Sequence, residues 1–158
     1  MAQLETIGND ILKLLEELEG VLKRVDINIV ATKTNKQNRT IKQIVGHLCD
    51  SASNNTHRII HLQYQSSPLI FPDYANLGKN DIWIRLQDYN NYDWEELHAL
   101  LKALMRHIVH VIKNVDCSKL QNVWISALDQ SITLEAMIVD FPRHFKLHYD
   151  EIVDLAAS

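Results

Sequence analysis

The amino-acid sequence predicts an all-α protein, a bundle of four amphipathic helices with a long connection between the second and the third. Three observations predict it. Four stretches carry apolar residues at intervals of three and four, the period of one helical face. Glycine and proline are scarce, at 4 and 3 residues, whereas an all-β fold needs many turn residues. No stretch alternates apolar and polar residues convincingly enough to read as a strand.

The first helix is expected over about 2–25, where Leu4, Ile7, Ile11, Leu14, Leu15, Leu18, Val21, Leu22 and Val25 form one stripe. A polar connection, 33–39, leads to Thr40 as a helix cap, and Ile41, Ile44, Val45, Leu48, Ala52, Ile59 and Leu62 mark a second helix over about 40–63. The stretch 65–80 contains Pro68 and Pro72, which cannot donate backbone hydrogen bonds, so it reads as a long irregular connection. A short helical piece over 81–87 follows it. Connections of that length inside a compact domain often line a site. Asp93 opens a third helix through Trp94, Leu97, Leu101, Leu104, Ile108 and Ile112, ending near Asn114. After a mixed stretch, 116–130, the last helix is expected to start near Ser131 or Thr133 and to carry Leu134, Met137, Ile138, Phe141, Phe145, His148, Ile152 and Leu155 on its buried side. Four such stripes are buried most simply against one another.

A length of 158 residues fits one domain, 1–158, with a sizeable core. Apolar residues at 46% and charged residues at 23% are the balance of an ordinary globular protein. The net charge of −4 and the absence of a basic run argue against a nucleic-acid partner, because phosphate neutralisation supplies most of such binding. No apolar run approaches the ~20 residues needed to span a membrane. The first residues, 1–19, have helical periodicity and acidic residues rather than the look of a targeting peptide. Cys49 and Cys117 stand far apart in sequence, and a cytoplasmic protein with reduced thiols is the expectation.

Chemistry enters with the eight histidines. His144 and His148 are four apart on the last helix, ~40° apart around its axis and about one turn apart in height. Two imidazoles so placed can face one ion. His47 lies ~60° from Ile44 on its own helix, at the border of the core stripe, and a bundle can bring such border positions together. Three neutral imidazoles suit Zn²⁺, Ni²⁺ or a similar ion and leave a position open. His57 and His61 share the same spacing, but no acidic residue stands near them in sequence. Asp140 precedes His144 by four, Glu151 follows His148 by three and Asp50 follows His47 by three. These carboxylates are candidates to accept the second N–H of a ligating histidine. Pro142 falls inside the last helix, where it removes a backbone hydrogen bond, and a kink there is expected to redirect the turn holding His144. Cys49 points away from His47, and Trp83, Trp94 and Trp124 read as core or interface residues rather than a substrate cage.

The stretch 40–50, TIKQIVGHLCD, resembles the second-helix motif of the DinB-like superfamily, in which a hydroxyl-capped start leads to His-Leu-x-Asp. The stretch SITLEAM at 131–137, followed by His144, His148 and Ile152, resembles that family's last helix. The segment 74–83 and Asp93-Trp94-Glu-Glu-Leu are similar to its loop and third-helix opening. The resemblance spans nearly the whole chain in the family's order, with loose individual motifs. It implies an up-down-down-up four-helix bundle, a three-histidine metal site falling on His47, His144 and His148, and a homodimer. It also implies thiol S-transfer with a low-molecular-weight thiol as one activity, the metal stabilising a thiolate. Pro142 departs from the family's pattern.

The sequence thus points to a metal-dependent enzyme acting on a small-molecule substrate or thiol, by S-transfer or hydrolysis, with no general base identified. Asp50, Asp140 and Glu151 would orient the ligands, and the 65–80 loop, with Phe71 and Tyr74, would close over the substrate. The alternative is a non-catalytic, dimeric binding module with a structural or vestigial metal. A fourth ligand from His57, His61 or His110 would favour that alternative, since structural sites are closed and catalytic ones keep an open position.

Overall fold

The computed structural model describes residues 1–157. Four long helices carry the bundle: α1 (Ala2–Arg24), α2 (Ile41–Tyr64), α4 (Trp94–Lys113) and α5 (Leu134–Ala157), with a short α3 (Lys79–Gln87) in the connection between α2 and α4. Local chemistry sets the ends. Thr40 Oγ1 accepts from the Gln43 N–H at 3.2 Å, while Gln43 Oε1 accepts from the Thr40 N–H at 3.0 Å. This reciprocal capping box satisfies two donors that a helix start leaves orphaned. Asp93 caps α4 through the Glu96 N–H at 2.9 Å. Thr133 Oγ1 accepts from the Ala136 N–H at 3.0 Å at the start of α5.

The side-chain contacts give the helix directions. Lys113 meets Glu5 at 2.7 Å and Lys102 meets Glu19 at 2.9 Å, so α1 and α4 are antiparallel. Lys42 Nζ donates to the Tyr92 carbonyl at 2.6 Å, and the Asp116 N–H donates to Gln63 Oε1 at 2.8 Å, so α2 and α4 are parallel. Ser51 faces His144, while Asn55 and Arg58, further along α2, face Met137 and Phe141, earlier on α5; these two are antiparallel. The order is up-down-down-up. Because α2 and α4 run the same way, the chain between them must return the length of a 24-residue helix, about 36 Å at 1.5 Å per residue. That return explains the long connection. Its residue Tyr74 is buried in the bundle's flank.

The stripes meet as expected in one core, with Ile11, Leu18, Leu48, Leu97, Ile108 and Phe145 fully buried. The expectation of no strands is corrected by a small sheet: β1 (Leu69–Ile70) pairs parallel with β2 (Val123–Ile125), which pairs antiparallel with β3 (Ser131–Thr133). Strands of two and three residues are too short for alternation to show in sequence. Ser131 to Thr133 therefore belong to a strand, and α5 begins one residue after them. Helix α5 runs through Pro142 without ending there, and the Nε2 atoms of His144 and His148 beyond it lie 3.1 Å apart.

Gly46 fixes how the return segment seats. A Cβ there would lie 2.2 Å from Cδ2 of Tyr89, whose ring is flat against α2. Gly46→Ala is expected to destabilise the fold by about 1–3 kcal/mol through overpacking, more than the ~1 kcal/mol alanine gains over glycine inside a helix. Urea denaturation of the two proteins measures the difference.

Candidate metal centre

Two antiparallel helices supply three imidazoles. The ligand atoms of His47 on α2 and of His144 and His148 on α5 all lie within 4.8 Å of one another. Ring centroids are 4.7 Å apart for His47 and His148, 5.5 Å for His47 and His144, and 4.6 Å for His144 and His148. Nε2 of His148 is 3.1 Å from Nε2 of His144. Two nitrogens on one tetrahedral Zn²⁺, each bonded at ~2.0–2.1 Å, stand about 3.3 Å apart, so the pair converges at nearly a ligand spacing. Nδ1 of His47 is buried and has no hydrogen-bond partner, an unusual state for a buried polar atom. This cluster is of a kind that could hold a metal ion.

The carboxylates divide. Glu151 Oε2 lies 2.8 Å from His148 Nδ1. A carboxylate only accepts, so Nδ1 carries the proton and the Nε2 lone pair is free to point at the cluster. Asp50 instead accepts from the Tyr89 hydroxyl at 2.6 Å and from Gln87 Nε2 at 2.8 Å, and makes no hydrogen bond to His47. Asp140 is taken by Arg143, at 2.6 Å and 3.0 Å. Both are corrections to the sequence reading. In each case a stronger donor, a buried phenol or an adjacent guanidinium, stands within reach. The group that does face His144 is Ser51, whose Oγ is 3.4 Å from Nδ1.

Electrostatics keep His47 and His144 neutral. Burial, reinforced by its two histidine neighbours, pushes His47 down to about 3. Burial and then His148 push His144 down to about 4. Neutral imidazoles are the form that ligates a metal. Burial raises the Cys49 thiol well above its ordinary value, so it is an inert core group, while Cys117 is exposed. His57 and His61 stack on each other with centroids 4.2 Å apart, beside Phe71 and away from the cluster. His110 is exposed on α4.

The sequence reading missed a polar stripe. His47, Ser51, Asn55 and Arg58, at 2%, 1%, 9% and 6% exposure, lie on one buried face of α2. Their spacing of four, four and three places them within ~80° of arc. Buried polar residues repeating at core spacing were the available signal. Beside them opens a cavity of about 440 Å³, walled by Trp124, Met137 and Phe141 and reached by Ser51, Arg58 and His144. Trp124 is thus a cavity wall as well as a core residue. Tyr74, on the return segment, has its ring 6.4 Å from His47 and its hydroxyl 3.4 Å from Asn55 Nδ2.

Among the described residues, no helix is long and apolar enough to cross a membrane. No family model matches the chain, and no curated protein matches it. Among solved structures, its fold is similar to that of YfiT from Bacillus subtilis, described as a probable metal-dependent hydrolase with an unusual four-helix bundle topology. The TM-score is 0.85, at 20% identity, over 99% of this chain and 87% of that one, so the four-helix bundle is shared from end to end.

Proposed function

We propose that this protein is a divalent-metal-dependent enzyme of the DinB-like kind, with His47, His144 and His148 holding the ion and water as the preferred nucleophile. The observation that carries the reading is an open three-histidine cluster beside a cavity. Among the described residues, His57, His61 and His110 all lie outside the cluster, and His144 borders a space of about 440 Å³, within the range of small-molecule pockets. The description of the structurally similar YfiT as a probable metal-dependent hydrolase favours hydrolysis over S-transfer.

An ion in such a site acts as a Lewis acid and lowers the pKa of a water or thiol nucleophile. The chain's own residues do the rest. Glu151 holds His148 in the tautomer that presents Nε2. Ser51 accepts from or donates to His144 Nδ1, according to which nitrogen carries the proton. Tyr74, Phe141 and Trp124 wall the cavity with aromatic surface and limit water. Zn²⁺ and Ni²⁺ are the ions suited to three imidazoles.

The test is the spectrum of Co²⁺-loaded protein prepared without an affinity tag. An open position predicts a shifted visible absorption band on adding azide or a small thiol, and Zn²⁺-loaded protein should hydrolyse activated esters faster than the His144→Ala variant. A Co²⁺ spectrum unmoved by either exogenous ligand would indicate a closed, structural site and favour the binding-module alternative.

A further inference from the structure

We propose that Arg58 is the anion anchor of this cavity, and that the substrate carries a carboxylate joined to a compact apolar body. The inference rests on the metal-centre reading only for which end of the substrate reacts.

Burying a guanidinium is costly unless it is paired. Arg58 is buried, yet no described residue accepts a hydrogen bond from it or pairs with it at contact distance, and the Asp73 carboxylate attracts it only from further off. It is held instead by aromatic faces: its Cζ is 4.3 Å from the centroid of Trp124, 5.1 Å from Tyr74 and 5.9 Å from Phe71. Stacking of this kind fixes the plane of a guanidinium but leaves its five N–H donors, arranged as a fork around its edge, without acceptors. Those nitrogens are not among the sealed, unpartnered polar atoms of the protein, and the residue lines the cavity. Arg58 lines both this cavity and a smaller one of about 290 Å³ beside His57, Phe71 and Trp83; its unused edge is assigned to the larger, which it shares with His144. A planar two-oxygen anion is the partner that matches a guanidinium fork.

The rest of the cavity defines the body of the ligand. Trp124, Ile132, Met137 and Phe141 make its wall apolar, and Asn55 and Tyr74 supply two neutral polar groups. The one carboxylate at the rim, Asp140, is occupied by Arg143. Arg58 lies seven residues beyond Ser51, the residue opposite His144, an axial rise of about 10 Å. A ligand spanning that interval is an aryl- or medium-chain alkyl acid, held by its carboxylate at Arg58 and presenting its far end to the histidines.

The test uses the full chain, treated with EDTA so that no metal can itself bind the acid, and then reloaded with Zn²⁺. Titrations with 3-phenylpropanoate and its neutral counterpart 3-phenylpropanamide are followed by calorimetry. The acid should bind at least tenfold more tightly than the amide in the metal-free protein. Arg58→Gln, checked for folding by circular dichroism, should reduce that preference to within about twofold. Ala136→Phe, which adds a ring at the exposed rim of the cavity and leaves Arg58 in place, should weaken acid and amide alike if it weakens either. Failure of the native protein to bind the acid, equal binding of acid and amide, or a preference that survives Arg58→Gln would each overturn the proposal and leave Arg58 as a packing brace. A protein that keeps the Arg58-dependent preference but takes up no Zn²⁺ would overturn the metal-centre reading alone.

Discussion

Replacing His148 by alanine should weaken Zn²⁺ binding by at least about 100-fold while leaving the helical fold intact. Four-ligand structural zinc sites gain about 10–16 kcal/mol, or roughly 3 kcal/mol per ligand, so losing one of three imidazoles should cost two orders of magnitude or more. His148 is the strongest choice because its lone pair is already aimed. Glu151 holds its Nδ1–H at 2.8 Å, and its Nε2 faces that of His144 at 3.1 Å. The same logic grades the effects. Glu151→Gln keeps the ligand and weakens its orientation, so a loss of about 10–100-fold is expected, as for other groups behind a metal ligand. His57→Ala removes an imidazole of identical helical spacing that lies outside the cluster, and should change nothing. Competition against a chromophoric chelator at neutral pH, with protein carrying no affinity tag, measures all three. Equal affinity in the native protein and His148→Ala would mean that Zn²⁺ binds elsewhere. Thermal melts supply an independent reading, because an ion at 100 times its Kd stabilises the folded state by about 2.7 kcal/mol, and the His148→Ala protein should lose that increment.

The bundle was legible in the sequence because each long helix carries its own periodic stripe and, in two cases, its own cap. Thr40 and Asp93 stand where the helices begin. The small sheet was not legible. β1 and β2 are more than 50 residues apart in the chain and pair over two positions, a contact set by the path of the return segment rather than by any local pattern. The start of α5 was legible at Thr133, which caps the helix that begins at Leu134, whereas the alternative start at Ser131 fails because the backbones of Ser131 to Thr133 pair with β2. At the site, the i,i+4 spacing of His144 and His148 announced a pair, and the border position of His47 made it a partner that only the packing of α2 against α5 brings near. The carboxylates were read from spacing alone. Spacing cannot reveal competing donors, and Tyr89, which takes Asp50, comes from 39 residues away. Arg58 was invisible as a site residue because no carboxylate or motif accompanies it. Its aromatic cage comes from the return segment and from β2.

Metal-free protein should lose on the order of 3 kcal/mol of stability between pH 7.5 and pH 5. The sign follows from linkage. In the folded chain His47 sits at about 3 and His144 at about 4, while in the unfolded chain both titrate near the ordinary ~6.5. As pH falls through 6.5 the unfolded state takes up protons that His47 and His144 refuse in the folded chain, so their contribution to stability is complete above about pH 7 and declines from there down towards the folded values. At pH 5 the unfolded state has gained about 2 kcal/mol from a fully buried imidazole such as His47, and His144, which is partly exposed, contributes less. His98 is also lowered by burial and adds to the same slope, so the diagnostic quantity is a difference between proteins. Urea denaturation at the two pH values in EDTA should show a smaller loss for His144→Gln than for the native chain. Asp140, lowered mainly by its hydrogen bond from Arg143, loses its contribution only as pH falls through and below the ordinary ~3.8–3.9 of an aspartate, outside this window. An equal loss in the two proteins would mean that His144 takes up its proton as readily in the fold as in the unfolded chain, so that burial does not hold it ready as a neutral ligand.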